Sequence, residues 1–141
     1  VLPIVTPDAT SALEPPAIDA ALAADWLVAF LRDEMIERRR IPRAVIGLSG
    51  GVDSAVTAYL CARALGPQNV YAIRMPYRTS SSASLSDAQL VVDALGLRCA
   101  TVDISGAVDG YLQYEPDADA RRRGNVMART RMVVLFDQSA K

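Results

Sequence analysis

The chain contains no histidine, only two cysteines, and no apolar run of about 18 residues. Without histidine, Ser-His-Asp hydrolases and His-ligated zinc centres are excluded. Cys61 and Cys99 are far apart and form no CxxC pair, so both read as buried, reduced thiols of a cytoplasmic protein. The lack of a long apolar run gives no reason to expect a transmembrane helix or a membrane partner. An excess of positive charge is also missing. The net charge is −1, so no global field points to nucleic acid. The N-terminus opens with Pro3, Pro7 and acidic residues instead of a basic segment followed by an apolar one, which argues against a secretory signal.

The residues present, 51% hydrophobic and 22% charged over 141 positions, suit one globular domain with its own core. Residues 1–16, rich in Pro, Ser and Thr, read as an extended lead-in. Helical periodicity covers 17–39, where Ile18, Leu22, Trp26, Phe30 and Ile36 form an apolar stripe widened by Leu27 and Leu31. Arg38, Arg39 and Arg40 suit the negative end of that helix, and Pro42 stops it.

Three strand-then-helix units follow. Strands are expected at 44–48, 70–75 and 97–104, beginning about 26 residues apart, the usual size of a βα unit. Helices are expected at 53–65, closed by Gly66-Pro67, and at 86–95, opened by the capping-box spacing of Ser86 and Gln89 and stopped by Gly96. A short helix at 107–112, an acidic stretch with Glu115, Asp117 and Asp119, and a last helix at 122–139 complete the reading. This alternation implies an α/β fold, a doubly wound parallel sheet with helices on both faces. In such a sheet the first strand is central, with the second and third on one side and later strands on the other. The chain therefore reads as a single domain over 17–141 whose C-terminal part is missing.

Between the first strand and its helix runs Gly47-Leu48-Ser49-Gly50-Gly51-Val52-Asp53-Ser54. Glycines let the backbone turn tightly and approach a ligand. The helix N-terminus adds free N–H groups and partial positive charge, making an anion site suited to phosphate. Ser49 and Ser54 add hydroxyls. Asp53 would repel a polyphosphate unless Mg²⁺ lay between them, since a hard cation takes carboxylate and phosphate oxygens alike. The loop is not a Walker A motif, because no lysine follows the glycines. The plainer alternative is a helix start with Asp53 as an ordinary cap.

Gly124-Asn125-Val126-Met127-Ala128-Arg129-Thr130-Arg131-Met132 is a second candidate. Arg121, Arg122, Arg123, Arg129 and Arg131 place five guanidinium groups within eleven residues and no acid among them. Cations near a helix start oppose its dipole, and an anionic ligand would reverse that cost through bidentate bonds. A solvated basic face is the bland alternative.

The SGGVDS loop resembles that of the N-type ATP pyrophosphatases, which hold the pyrophosphate leaving ATP. The GNVMARTRM stretch resembles the GNxxARxRM signature of NAD synthetases, and Arg74-Met75-Pro76-Tyr77-Arg78-Thr79-Ser80-Ser81-Ser82 is similar to their loop near the ATP adenosine. The resemblance spans about residues 17–141. It implies an adenine nucleotide alpha-hydrolase-like fold and the ATP-dependent amidation of deamido-NAD by ammonia, through an adenylate, to NAD, AMP and pyrophosphate. It further implies ATP binding by Gly47, Leu48, Ser49, Gly50, Gly51, Val52, Asp53, Ser54, Arg74 and Ser80, Mg²⁺ at Asp53, and deamido-NAD at Arg129. No residue is assigned as acid or base. The family continues past Lys141 with a further Mg²⁺ ligand and ATP contacts, so this chain alone is expected to be inactive. A homodimer is expected too, with surplus apolar surface on the first and last helices facing a second subunit. Alternatives are another SGGxDS enzyme, GMP synthetase-like or tRNA-modifying, and a non-catalytic nucleotide-binding module.

Overall fold

The structure is a computed structural model describing residues 17–141; the expected lead-in at 1–16 lies outside them. Helix α1, Ala20–Arg32, opens where Asp19 accepts the Leu22 N–H at 3.0 Å. It continues as a wider π-helical stretch, Asp33–Arg38, in which Arg39 N–H reaches back to the Glu34 carbonyl at 3.1 Å. Strand β1, Ala44–Gly47, leads to α2, Val52–Leu65. Strand β2, Val70–Arg74, leads to α3, Ser82–Leu95. Strand β3, Arg98–Thr101, leads to α4, Ser105–Leu112, and α5, Ala120–Ser139.

The strands are parallel in the order β1-β2-β3, with Ala44 opposite Val70 and Tyr71 opposite Arg98. Side chains alternate across the sheet, as strand geometry demands. Ile46, Leu48, Val70, Ala72 and Leu97 join Ala58, Cys61, Leu65, Ala88 and Val92 in one core, covered by α2 and α3 with α1 behind. Val45, Tyr71, Ile73 and Met75 pack with Ile104, Val108, Leu112, Val126, Met127, Val134 and Leu135 on the other face, under α4 and α5. Helices thus cover both faces, as the alternation implied. Among the described residues β1 pairs on one side only.

Four expectations need correction. The stripe on α1 is split between solvent and core: Ile18, Leu22, Trp26 and Phe30 are 75%, 67%, 65% and 49% exposed, whereas Leu31 and Ile36 of the same stripe pack inward beside Val28 and Met35. Helix α3 starts four residues before Ser86. Ser81 is its cap, accepting the Ser84 N–H at 3.1 Å, while the Ser86 hydroxyl donates to the Ser82 carbonyl. Strand β3 is shorter than 97–104, although Val102 N–H and Ile104 N–H still pair with the Arg74 and Pro76 carbonyls beyond its end. Both cysteines are free, but only Cys61 is buried, and burial pushes its thiol up; Cys99 is half-buried.

Candidate functional site

The carboxyl ends of β1 and β2 open into a cleft of about 360 Å³ lined by Gly47, Leu48, Ser49, Met75, Pro76, Ser80, Ser81, Ser84, Leu85, Arg131 and Leu135. Three walls meet there: the glycine loop, the turn that leads into α3, and one face of α5. Ligands of open α/β sheets lie at this edge.

The glycine loop shapes itself. Gly51 N–H donates to Ser49 Oγ at 3.2 Å, and the two hydroxyls of Ser49 and Ser54 lie 3.0 Å apart. Ser49 N–H reaches Ser54 Oγ at 3.2 Å, and Ser54 Oγ donates to the Gly51 carbonyl at 2.9 Å. Gly50 has φ +83°, and a Cβ there would sit inside the backbone carbonyl of Ser84. Only glycine permits both that angle and that approach. The residue capping α2 is Gly51, which offers no side chain to the helix. The first N–H groups of α2 therefore face outward with the positive end of its dipole.

Of the residues singled out in the sequence, Gly47, Leu48, Ser49 and Ser80 line the cleft. Gly50, Gly51, Val52, Asp53 and Ser54 continue from its rim into the first turn of α2, where Asp53 is exposed. Arg74 does not line it. Its Nη1 donates to Gln89 Oε1 at 2.5 Å, Gln89 Nε2 donates to Asp93 at 2.7 Å, and Arg74 Nε is buried without a partner. Arg74 thus ties the end of β2 to α3.

Arg129 is exposed, with its guanidinium 3.9 Å from Met132 Sδ. Its neighbour two residues on, Arg131, is the arginine in the cleft, where Nε donates to the Met75 carbonyl at 3.1 Å. Residues two apart on a helix point about 200° away from each other, so one of the pair must face out. The apolar spacing Met127–Arg131–Leu135 was the available signal for Arg131. The five arginines are also not one anion site. Arg122 pairs with Glu115 at 2.6 Å, and Arg123 donates to the Ala118 and Pro116 carbonyls. These bonds, with Asp119 capping Arg122 N–H at 2.8 Å, relieve the charge opposing the α5 dipole.

Asp53 fits a magnesium site of one kind only. Among the described residues no group of three or more His, Cys, Asp or Glu gathers, so the protein part seen here cannot cage a cation. Mg²⁺ commonly takes one or two carboxylates and completes its shell with phosphate oxygens and water. An exposed carboxylate in the first turn of a helix, beside the outward N–H groups, suits that arrangement.

A parallel sheet with helices on both faces and a glycine-rich turn at its carboxyl edge, running into an uncapped helix, defines a doubly wound α/β domain whose loop resembles phosphate loops but lacks the Walker lysine. The profile of the NAD synthase family matches residues 23–141, and the chain belongs to that family. It is 50% identical over 124 residues to an NH(3)-dependent NAD(+) synthetase of Chlorobaculum parvum, covering 88% of this chain and 44% of that protein. To the corresponding protein of Trichlorobacter lovleyi it is 52% identical over 123 residues, covering 87% and 45%. The chain thus spans less than half the length of these curated relatives. Among solved structures it resembles an NH3-dependent NAD synthetase from Campylobacter jejuni, with TM-score 0.80, 34% identity and coverage of 88% and 53%. It also resembles an NMN synthetase from Francisella tularensis, with TM-score 0.79, 27% identity and coverage of 88% and 51%.

Proposed function

We propose that the protein carrying this chain makes NAD from deamido-NAD, ammonia and ATP, as a ligase that releases AMP and pyrophosphate. The carrying observation is that one cleft unites the self-braced SGGVDS loop, the turn after β2 and an arginine of the GNVMARTRM helix. In this reading the substrate carboxylate attacks the α-phosphorus of ATP, pyrophosphate leaves, and ammonia displaces AMP from the acyl adenylate. These steps call for held reactants and neutralised charge more than for a strong base, which suits a chain without histidine.

The N–H groups at the start of α2 and the hydroxyls of Ser49 and Ser54 bind the polyphosphate, with Gly47, Leu48, Gly50, Gly51 and Val52 supplying backbone that can come close. Ser80 lines the opposite wall. Arg74 acts at one remove, by seating α3. Asp53 holds Mg²⁺, which when bound neutralises phosphate charge. Arg131, not Arg129, is the arginine assigned to an anionic part of the substrates, because four of its five N–H donors remain for a ligand. Free thiols at Cys61 and Cys99 suit a cytoplasmic setting, and no helix among the described residues is long and apolar enough to cross a membrane. The exposed stripe Ile18, Leu22, Trp26 and Phe30, with Trp26 stacked on Phe30 at 5.8 Å, supports a homodimer that covers it.

The full-length protein should convert deamido-NAD to NAD only with ATP and ammonia present, and light scattering of the same preparation should give twice the chain mass. Faster amidation of the mononucleotide analogue, nicotinate mononucleotide, would instead favour the activity named for the Francisella protein. Failure with both substrates would remove the amidation reading.

A further inference from the structure

The turn between β2 and α3 is held from an unexpected side. Tyr77 N–H donates to Ser80 Oγ at 3.0 Å, and Ser80 N–H returns to the Tyr77 carbonyl at 2.7 Å, so the backbone of Tyr77 fixes Ser80 in the wall of the cleft. The side chain of Tyr77 leaves in another direction, toward α4, and its hydroxyl donates to Asp109 at 2.8 Å. Arg78 closes the ring. Its Nε donates to the Tyr77 hydroxyl at 3.2 Å, its Nη2 meets Asp109 at 2.5 Å, and its guanidinium stands over the Tyr77 ring at 5.4 Å. One turn earlier on α4, Ser105 Oγ accepts the Arg78 N–H at 2.9 Å, and Ser105 N–H is in turn held by Asp103 at 2.6 Å.

Six residues therefore run from α4 to the cleft without touching its interior from α4 itself. The same turn sets the first turn of α3, capped by Ser81, and the Ser84 backbone there is the surface against which Gly50 rests. Moving the turn would move two walls together. Stability is a weak explanation for this cluster. Arg78 is 61% and Asp109 34% exposed at the side chain, and exposed ion pairs contribute little. A closed ring of donors and acceptors does, however, resist displacement of each member.

Resting on the amidation reading above, we infer that Asp109, acting through Tyr77 and Arg78, is a positioning residue for the nucleotide: it holds the β2–α3 turn at the spacing from the glycine loop that ATP requires. Asp109 does not line the cleft, so its loss should be felt in ATP affinity and little elsewhere.

The test uses the full-length protein with Tyr77→Phe and Asp109→Ala, singly and combined. KM for ATP should rise about five- to tenfold in Asp109→Ala, the scale of one ordinary net hydrogen bond, since the residue acts at one remove from the ligand. It should rise less in Tyr77→Phe, and the double variant should be no worse than Asp109→Ala because both cut one network. KM for deamido-NAD and kcat should stay within about twofold, and Tm nearly unchanged. An unaltered KM for ATP in both single variants overturns the positioning role while the parent's own turnover leaves the wider reading standing. A parent that binds no Mg-ATP removes both. Equal movement of kcat and both KM values with a lowered Tm would make the cluster a stabilising contact only. Should Asp109→Ala fail to fold, Tyr77→Phe, which deletes one hydroxyl, decides by the same split.

Discussion

On one side of the cleft, Ser49, Gly51 and Ser54 hold one another through four hydrogen bonds made within a span of six residues. On the other side, Arg131 and Leu135 stand on a 20-residue helix whose internal bonds would be the same whichever way it faced. The first wall is a local object, built by short-range chemistry before any packing is considered. The second exists only because Val126, Met127, Val134 and Leu135 are pressed onto the sheet and carry Arg131 round with them. A local wall should be sensitive to single backbone changes, and a packed wall to which side of the helix is altered.

The largest expected effect tests the first wall. Gly50→Ala introduces a Cβ at φ +83° and drives it into the Ser84 carbonyl. The left-handed angle costs about 1–2 kcal/mol and the overlap roughly 1–3 kcal/mol more. ATP affinity of the full-length protein, measured by calorimetry, should fall on the order of a hundredfold, because relief requires the two walls to part. Normal affinity in that variant would mean the loop is not the rigid element described here.

Comparable in size is the contrast between two arginines on the packed wall. Arg131→Ala removes a guanidinium from the cleft, and loss of a charged hydrogen-bonding partner costs about 2–3 kcal/mol, or on the order of a hundredfold in kcat/KM. Arg129→Ala removes an exposed group and should change kcat/KM by less than about threefold. The reverse ranking would restore Arg129 as the substrate contact and would mean that α5 turns when the whole protein binds its ligands.

The smallest effect gives the baseline for both. Gly96 caps α3 at φ +63° with nothing within 4 Å of a would-be Cβ. Gly96→Ala should therefore cost only the backbone preference, about 1 kcal/mol in denaturant unfolding, with ATP affinity unchanged. A loss as large as that of Gly50→Ala would show that the angle, and not contact with α3, dominates at both sites.

The α1 helix shows why one kind of reading succeeds and another does not. Periodicity finds a helix here, and α1 with its π-helical continuation runs from Ala20 to Arg38. Periodicity also gathers Ile18, Leu22, Trp26, Phe30, Leu31 and Ile36 into one apolar stripe, and has no means of saying which of them meet the core. The start of α3 was misplaced for a related reason. Five serines from Ser80 to Ser86 offer several equivalent caps, and the choice of Ser81 follows from where the turn is tied to α4.

By itself the sequence determined the βα alternation, the parallel sheet covered on both faces, and the glycine loop with its flanking serines, because turns, caps and strand alternation depend on residues close along the chain. Tertiary structure alone decided that Arg131 and not Arg129 enters the cleft, that Arg74 is spent on Gln89, that Arg122 and Arg123 serve their own loop, and that Asp109 reaches the turn 32 residues before it through Tyr77. The physical reason is common to all four. A side chain's partner across the fold is chosen by the rigid-body seating of helices on the sheet, and that seating is set by the summed burial of many apolar residues, not by the residues that do the chemistry.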